Sequence, residues 1–489
     1  MKRLFICSVA ATLALALAQP VSADDFDLPP DLPAAPAQSL PPDVAPDGAL
    51  AAPDTDPATT PGEFSAPPGV EFASAEDAAP SAAGRNATLV LEARAFANRD
   101  LDGNTTNALR FQAHYFGARD FGGRTGLIFN LRARTFIEEN RSYRFADDFN
   151  VDVQELALRY ALSPETSLQF GRINIRNGVA SGFNPTDWFK DGSLVVTDSA
   201  APADRRNERL GVVALTGTTT LGQTLMQIGY RPQIDADPGT VWTDRDNFGL
   251  GLDRTNPSDA WFVKVTPQIG DNLSFTANAL LLDDDPGIGF ELSGTLGDNL
   301  VLYSEMMAQK RLSIASEALG ASEGSAAFRD GVGAGQGKDW HYQAALGLNW
   351  ALSQKMVGAR DISLTMEYHL NTAGLSSSQI DTLSGAQGAD EAAAGAIHGI
   401  ANRRQEPLAR NQIFTRLAWN DFWGDSDLSL LGFYVPADGS GLAQLSFDVP
   451  VGDNGNFNLR AISSFGDSRS VYGANPTKTS VQMGMTYTF

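Results

Sequence analysis

From residue 86 onward the sequence is written in segments of about ten residues, each alternating apolar or small side chains with polar ones. The last nine residues carry the pattern most cleanly. Val481, Met483, Met485, Tyr487 and Phe489 share one parity, and Gln482, Gly484, Thr486 and Thr488 the other. A strand sends alternate residues to opposite faces, so each segment has one apolar and one polar face. Leu89 to Ala97, Leu127 to Ala133, Leu273 to Leu281, Ile288 to Leu296, Tyr342 to Trp350, Ile362 to Leu370 and Phe457 to Phe465 repeat it. A soluble sandwich would need a second apolar sheet over each face, and the polar parity offers none. No residue motif recurs at a fixed period, which disfavours solenoids and propellers.

The segments number about eighteen, each near the 9–11 residues of a strand that crosses a bilayer. Their connections alternate between tight and extended. Ser163-Pro-Glu-Thr, Gly270-Asp-Asn, Gly297-Asp-Asn, Gly424-Asp-Ser-Asp and Gly452-Asp-Asn-Gly are hairpin sequences whose Gly, Asn and Asp tolerate positive φ. Stretches near 178–207, 232–258, 310–339 and 372–409 are long. These features predict an all-β fold: a transmembrane antiparallel β-barrel of about eighteen strands over 86–489, with short turns at one end and extended loops at the other. No run after the N-terminus is apolar for the eighteen or so residues of a membrane helix.

The N-terminus reads as an export signal, 1–23: Lys2 and Arg3, an apolar run from Leu4 to Ala18, and Val21-Ser22-Ala23 before Asp24. Its removal takes away Cys7, the only cysteine, and changes the formal charge from −22 to −24. The mature chain then has no disulfide or thiolate site, and its acidity argues against nucleic acid as a partner. Residues 24–85 are rich in Pro, Ala and Asp, with Leu28-Pro-Pro-Asp and Leu40-Pro-Pro-Asp repeating one unit. Such a composition buries too little apolar area to fold and is expected to be a disordered periplasmic segment, either a reaching arm or a solvated spacer.

Parity assigns the inner face. The early strands are expected to turn Arg94, Arg110, His114, Arg132, Arg134, Arg159, Arg172 and Arg176 inward. Later ones contribute Glu291, Glu305, Glu367 and Asp448, with Lys264, His369 and Arg460 among them. A basic wall facing a more acidic one would orient charged solutes; the bland reading is that these charges pair with one another. The stretch Gly171-Arg-Ile-Asn-Ile-Arg-Asn-Gly178, continuing Gly182-Phe-Asn-Pro-Thr-Asp-Trp-Phe189, is the expected constriction loop. Asn184 would cap a helical turn with Pro185 at its first position and Asp187 near its positive end. Trp188 and Phe189 need an apolar seat in the wall or the lumen.

These residues resemble Gram-negative porin-like families, in which a G-R-x-x-x-R-x-G strand leads to an N-P-x-D-x-F turn. The outline is similar to the alginate-export and specific-porin families. The aromatic end at Tyr487 and Phe489 resembles the assembly signal of outer-membrane barrels. The resemblance implies residence in the outer membrane, among its lipid, with a periplasmic N-terminal arm and extracellular long loops. It also implies contact with the barrel-assembly machinery through the last strand, and association into a homo-oligomer is open. It implies a channel for small polar or anionic solutes. The alternatives are an export pore for an acidic polysaccharide, or a plugged structural or receptor barrel.

No catalytic site is expected. Of the four His, His114, His341 and His369 face the lumen by parity and His398 falls in a loop. Ser363 shares the parity of His369 but sits too far along the strand to touch it. Glu367 and His369 on one face read as an ion pair rather than a proton relay. No cofactor or metal is expected: Asp283-Asp-Asp-Pro286 and Asp100-Leu-Asp-Gly-Asn104 carry only the beginning of a calcium-loop pattern and read as solvated turns. In the 372–409 loop, Asp390 and Glu391 ahead of Arg403 and Arg404, with Pro407 beyond, predict a helix. Ser313 to Leu319 predicts another.

Overall fold

The computed structural model describes residues 86–489 apart from 235–249, 271, 321–322, 353 and 359. The expected signal (1–23) and Pro-rich segment (24–85) lie outside the described residues.

Eighteen antiparallel strands form one sheet that closes on itself. They are β1 (Asn86–Asp100), β2 (Thr105–Asp120), β3 (Thr125–Glu138), β4 (Phe149–Ala161), β5 (Thr166–Ile173) and β6 (Val212–Leu221). Then come β7 (Thr224–Arg231), β8 (Ala260–Pro267), β9 (Leu273–Leu282), β10 (Asp285–Leu296), β11 (Leu300–Arg311) and β12 (Asp339–Ala351). The last six are β13 (Asp361–Asn371), β14 (Asn411–Trp423), β15 (Ser426–Val435), β16 (Ser440–Val451), β17 (Gly455–Phe465) and β18 (Thr477–Thr488). Each strand pairs with the next, and β18 pairs with β1 from Thr488↔Val90 to Ser480↔Asn98. Phe489 completes the seam: its backbone N–H donates to the Leu89 carbonyl at 2.9 Å. Closure leaves no sheet edge with unpaired backbone groups, the requirement for a sheet in lipid.

The two parities separate as the sequence predicts. Leu91, Leu158, Phe170, Leu215, Ile228, Ile288, Leu302, Leu430 and Met483 lie exposed on the outer face. Arg94, Gln112, Arg132, Gln154, Thr276, Asn278, Glu305, Glu367, Gln444 and Gln482 are buried on the inner one. A polar interior inside an apolar exterior reverses a water-soluble core and fits a cylinder bathed in lipid. Outward aromatics gather at both ends. Tyr230, Trp261, Tyr342, Tyr368 and Tyr434 lie toward the long loops, and Tyr115, Tyr160, Trp423, Tyr487 and Phe489 toward the short turns. Amphipathic rings settle at such interfaces.

At the long-loop end, two connections fold into a small helical cap. Helices α2 (Ile314–Ala318) and α3 (Ala326–Val332) come from the β11–β12 loop, and α4 (Ser377–Ser384) and α5 (Ala389–Arg404) from the β13–β14 loop; α1 (Pro202–Asn207) precedes them in the β5–β6 loop. The cap has its own apolar core: Ile314, Phe328, Val332, Leu375, Ile380, Leu383 and Ile397. Ser313 and Ser325 cap α2 and α3 by accepting from the backbone N–H groups of Ser316 (3.1 Å) and Phe328 (3.2 Å). The helix expected over 390–404 is α5, acidic in its first turn and basic in its last.

Candidate functional site: a constriction loop held between two charged walls

The β5–β6 connection, residues 174–211, does not stay outside. It turns into the barrel and spans the lumen, bound to opposite walls by opposite chemistry.

On one side the wall supplies carboxylates and the loop supplies backbone amides. Glu305 of β11, fully buried, accepts from the N–H groups of Val179 (3.0 Å), Ala180 (3.2 Å) and Thr186 (2.7 Å) and from Asn184 Nδ2 (3.2 Å). Glu367 of β13 accepts from the Gly182 N–H (2.9 Å) and the Ser181 N–H, from the Tyr303 hydroxyl (2.6 Å) and from His369 Nε2 (2.7 Å). The Thr186 hydroxyl lies 2.8 Å from Glu305 and 3.0 Å from Glu291 of β10. Loop amides have no ladder partner, and charge-assisted bonds to an anion are the strongest substitute in a low-dielectric setting. The two flanking glycines follow from this approach. Gly178 has φ +100°, and a Cβ there would stand 2.5 Å from Glu305 and Asn184; one on Gly182 would meet the Phe414 ring at 2.7 Å.

On the other side the wall supplies arginines and the loop supplies carboxylates. Arg110 lies 2.7 Å from Asp198 of the loop and 2.7 Å from Glu92. Arg132 pairs with Glu208, Arg134 with Asp152 and, at 3.4 Å, Glu208, and Arg460 with Asp204. Arg94 donates to Glu92 and Asn458, both at 3.0 Å. The loop is thus tied to carboxylates of the wall on one side and to guanidinium groups on the other.

Between these anchorages, Trp188 and Phe189 find their seat on the lumen side, with ring centroids 5.8 and 5.6 Å from Phe262 of β8. Asp187 pairs with Arg209. Burial opposes its ionisation, yet Arg209, Arg206 and Lys190 together hold its carboxyl below the usual range. Lys190 Nζ donates to the Asn184 carbonyl at 2.6 Å and lies 4.4 Å above the Phe183 ring. Burial pushes the Lys190 ammonium down to about 8. The loop is also stapled to the cap. Gln405, at the left-handed C-terminus of α5 (φ 54°), donates to the Lys190 carbonyl and accepts from Arg209 Nε at 2.9 Å. The Gly192 N–H donates to the Arg403 carbonyl at 3.1 Å, and Arg403 and Arg404 both pair with Glu317 of α2.

Several expectations need correction. Asn184 caps no helix: Pro185 and Thr186 form a turn, and only a short 3₁₀ segment, Trp188–Lys190, follows. The Asn184 side chain instead ties the loop to itself and to the wall, donating to the Ala180 carbonyl (2.6 Å) and accepting from Arg206. Asp187 answers a guanidinium rather than a helix end. Arg176 is not on a strand, since β5 ends at Ile173. Arg172 faces no open water: it donates to the carbonyls of Gly211 (3.0 Å) and Leu250 and so pins the end of the loop. Arg159 faces inward near the short turns, between outward Leu158 and Tyr160. His369 and Glu367 form the expected buried pair. Asp285 pairs with Lys338, and Asp100 accepts from the Asn104 N–H at 2.8 Å within its own turn.

The sequence reading missed Glu92, Asp198, Asp204, Arg205, Arg206, Glu208 and Arg209. The dense charge of Asp204-Arg-Arg-Asn-Glu-Arg209 was their visible signal. Above the loop, toward the cap, a vestibule of about 1600 Å³ opens between the loop, the β1–β4 wall, α5 and the β17–β18 loop.

No protein-family model matches the sequence, and no curated protein matches it. Among solved structures the chain is similar to OccK11 (OpdR) of Pseudomonas aeruginosa, with 10% identity over 83% of this chain and 95% of that one, TM-score 0.46. It is also similar to OccK1 (OpdK) of the same organism, with 11% identity, 83% and 98% covered and TM-score 0.45. For OccAB4 of Acinetobacter baumannii the values are 6%, 83%, 97% and 0.45.

Proposed function

We propose that this chain is an outer-membrane channel that passes small polar or anionic solutes. Its long loops would face the exterior, its short turns the periplasm, and residues 24–85 would trail as a periplasmic arm. The last strand, ending at Tyr487 and Phe489, would be the contact for the barrel-assembly machinery. The observation that carries this reading is the sorted cylinder itself: polar within, apolar without, with a loop folded across its middle and a vestibule above it. Eighteen strands enclose more space than wall side chains fill, so the loop sets the width of the path. The wall arginines act in this reading by holding the loop in register, because Arg110, Arg132, Arg134 and Arg460 already have carboxylate partners.

A second reading, a plugged receptor barrel, is favoured by the loop's attachment to both walls. Swelling of proteoliposomes in uncharged sugars and in small carboxylates separates the two. The channel reading expects swelling rates that fall with solute size; impermeability to every solute of the panel would establish the plug.

A further inference from the structure

Thr186 joins the constriction loop to two wall carboxyl groups at once. Its hydroxyl oxygen stands 2.8 Å from Glu305 Oε1 of β11 and 3.0 Å from Glu291 Oε1 of β10, and all three residues are buried. A threonine hydroxyl carries one hydrogen and donates to only one of them. The other contact is a hydrogen bond only when a carboxyl proton points at the threonine oxygen. Both carboxyl oxygens touch the same atom, so they are no more than about 6 Å apart, and like charges that close inside a protein oppose double ionisation. The surroundings do little to offset a second negative charge. Glu291 Oε1 accepts from Asn278 Nδ2 of β9 at 2.9 Å and lies 4.0 Å from Lys264 Nζ of β8, which itself donates to Asn177 Oδ1 at 2.8 Å. Glu305 faces Lys190 of the loop, on which Glu406 and Asp187 also pull. Glu367, from β13, is answered by its own loop amides, by Tyr303 and by His369.

We propose that Glu291 and Glu305 share one proton at neutral pH through the Thr186 hydroxyl, and that this proton latches the constriction loop to the wall. The proposal rests on the channel reading and names what regulates the loop that sets the width of the path. In the latched state one carboxyl donates to Thr186 Oγ, and the Thr186 hydroxyl donates to the other carboxylate. Each hydrogen then has an acceptor, and the three groups form one cooperative chain. The proton belongs to the pair rather than to either residue. Alkali removes it. Two anions then compete for a single hydroxyl hydrogen, one contact is lost, and the repulsion between them loosens the turn at Pro185 and Thr186. The folded chain holds here a proton that free glutamates have given up at neutral pH, so stability contributed by the pair falls as pH rises.

Infrared difference spectra of the purified full chain in detergent, taken as pH is raised from 7 to 10, test the shared proton. Wild type should lose a band from the C=O stretch of a protonated carboxyl, and Glu291→Gln and Glu305→Gln should show no such loss. Heat-modifiability on gels confirms that each variant is folded. Glu291→Gln offers Thr186 an N–H in place of the proton, so its loop should stay latched throughout the series. Single-channel currents in a planar bilayer, recorded with Lys190→Met in every chain so that Lys190 does not titrate, read the latch. Current noise should rise with alkali when Glu291 is present and stay flat with Glu291→Gln. Absence of a protonated-carboxyl band from wild type at pH 7, or an equal loss in folded Glu291→Gln, would overturn the shared proton. Equal noise with and without Glu291 at every pH would overturn the latch. Because the spectra are read without flux, a chain that shows the band yet passes no current would retain the shared proton and lose the channel.

Discussion

Glu305 and Glu367 are placed where a water-soluble protein would avoid charge, inside the molecule, with His369 beside Glu367 and no ion pair to Glu305 among the described residues. Loop amides take the place of a counter-ion. Because Glu305 answers five donors of the loop, the Asn184 amide among them, Glu305→Ala leaves buried N–H groups unmatched. It is expected to cost about 3–5 kcal/mol in urea unfolding, with noisier current from the loosened loop; a cost below about 1 kcal/mol would contradict the clamp. Lys190 gives a pH signature. Burial lowers its folded pKa to about 8 from 10.5, against the opposing pull of Glu406 and Asp187, with Arg209 and Glu305 also facing it. Between those two pH values the unfolded chain holds the proton and the folded one does not, so stability contributed by this group rises with pH there. The charge it lends the lumen falls over the same interval. Reversal potentials should therefore show anion preference declining from pH 7 to 9 in wild type and flat in Lys190→Met. At this scale parity made the wall residues legible, since period 2 fixes each face. It was silent about Asp198, Asp204 and Glu208, because an irregular loop has no period from which direction can be read.

The constriction loop and the cap are separate stretches of sequence that behave as one element through Gln405, Arg403 and Arg404. Glu317 answers both arginines, so Glu317→Ala should leave the cap's apolar core intact while releasing its hold on residues 190–193. Mean conductance is expected to change little and open-state noise to rise; a variant as quiet as wild type would show that the staple carries no constraint. Helix α5 was legible from its acidic start and basic end, which match the macrodipole. Helix α3, which packs on α4, was not, because its seven residues lie in a Gly-rich stretch and gain their reason to be helical from the apolar core they share with Ile380, Leu383 and Ile397. The same distinction explains the misread turn at Asn184. Asn-Pro-x-Asp is a good helix start locally, but Glu305 claims the Thr186 amide that the cap would have used.

Over the whole molecule, two populations of side chains and a closed hydrogen-bonded ring determine the architecture, and both were written in the alternation itself. Strand number, turn asymmetry and inward polarity followed from it; the crossing of the lumen by 174–211 did not, since long-range charge matching leaves no local pattern. Leu215 lies on the outer face near the middle of β6. Leu215→Arg should cost about 2–4 kcal/mol when the barrel refolds into bilayers, the depth-dependent cost of a charge facing lipid, and much less in detergent. Equal stability in both media would mean that this face does not meet lipid. The most direct measurement is single-channel recording of the full chain in a planar bilayer, wild type beside Glu305→Ala. Discrete conductance steps in wild type, noisier in the variant, are the predicted result. An absence of steps from both proteins, inserted and folded, would contradict a solute path governed by this loop.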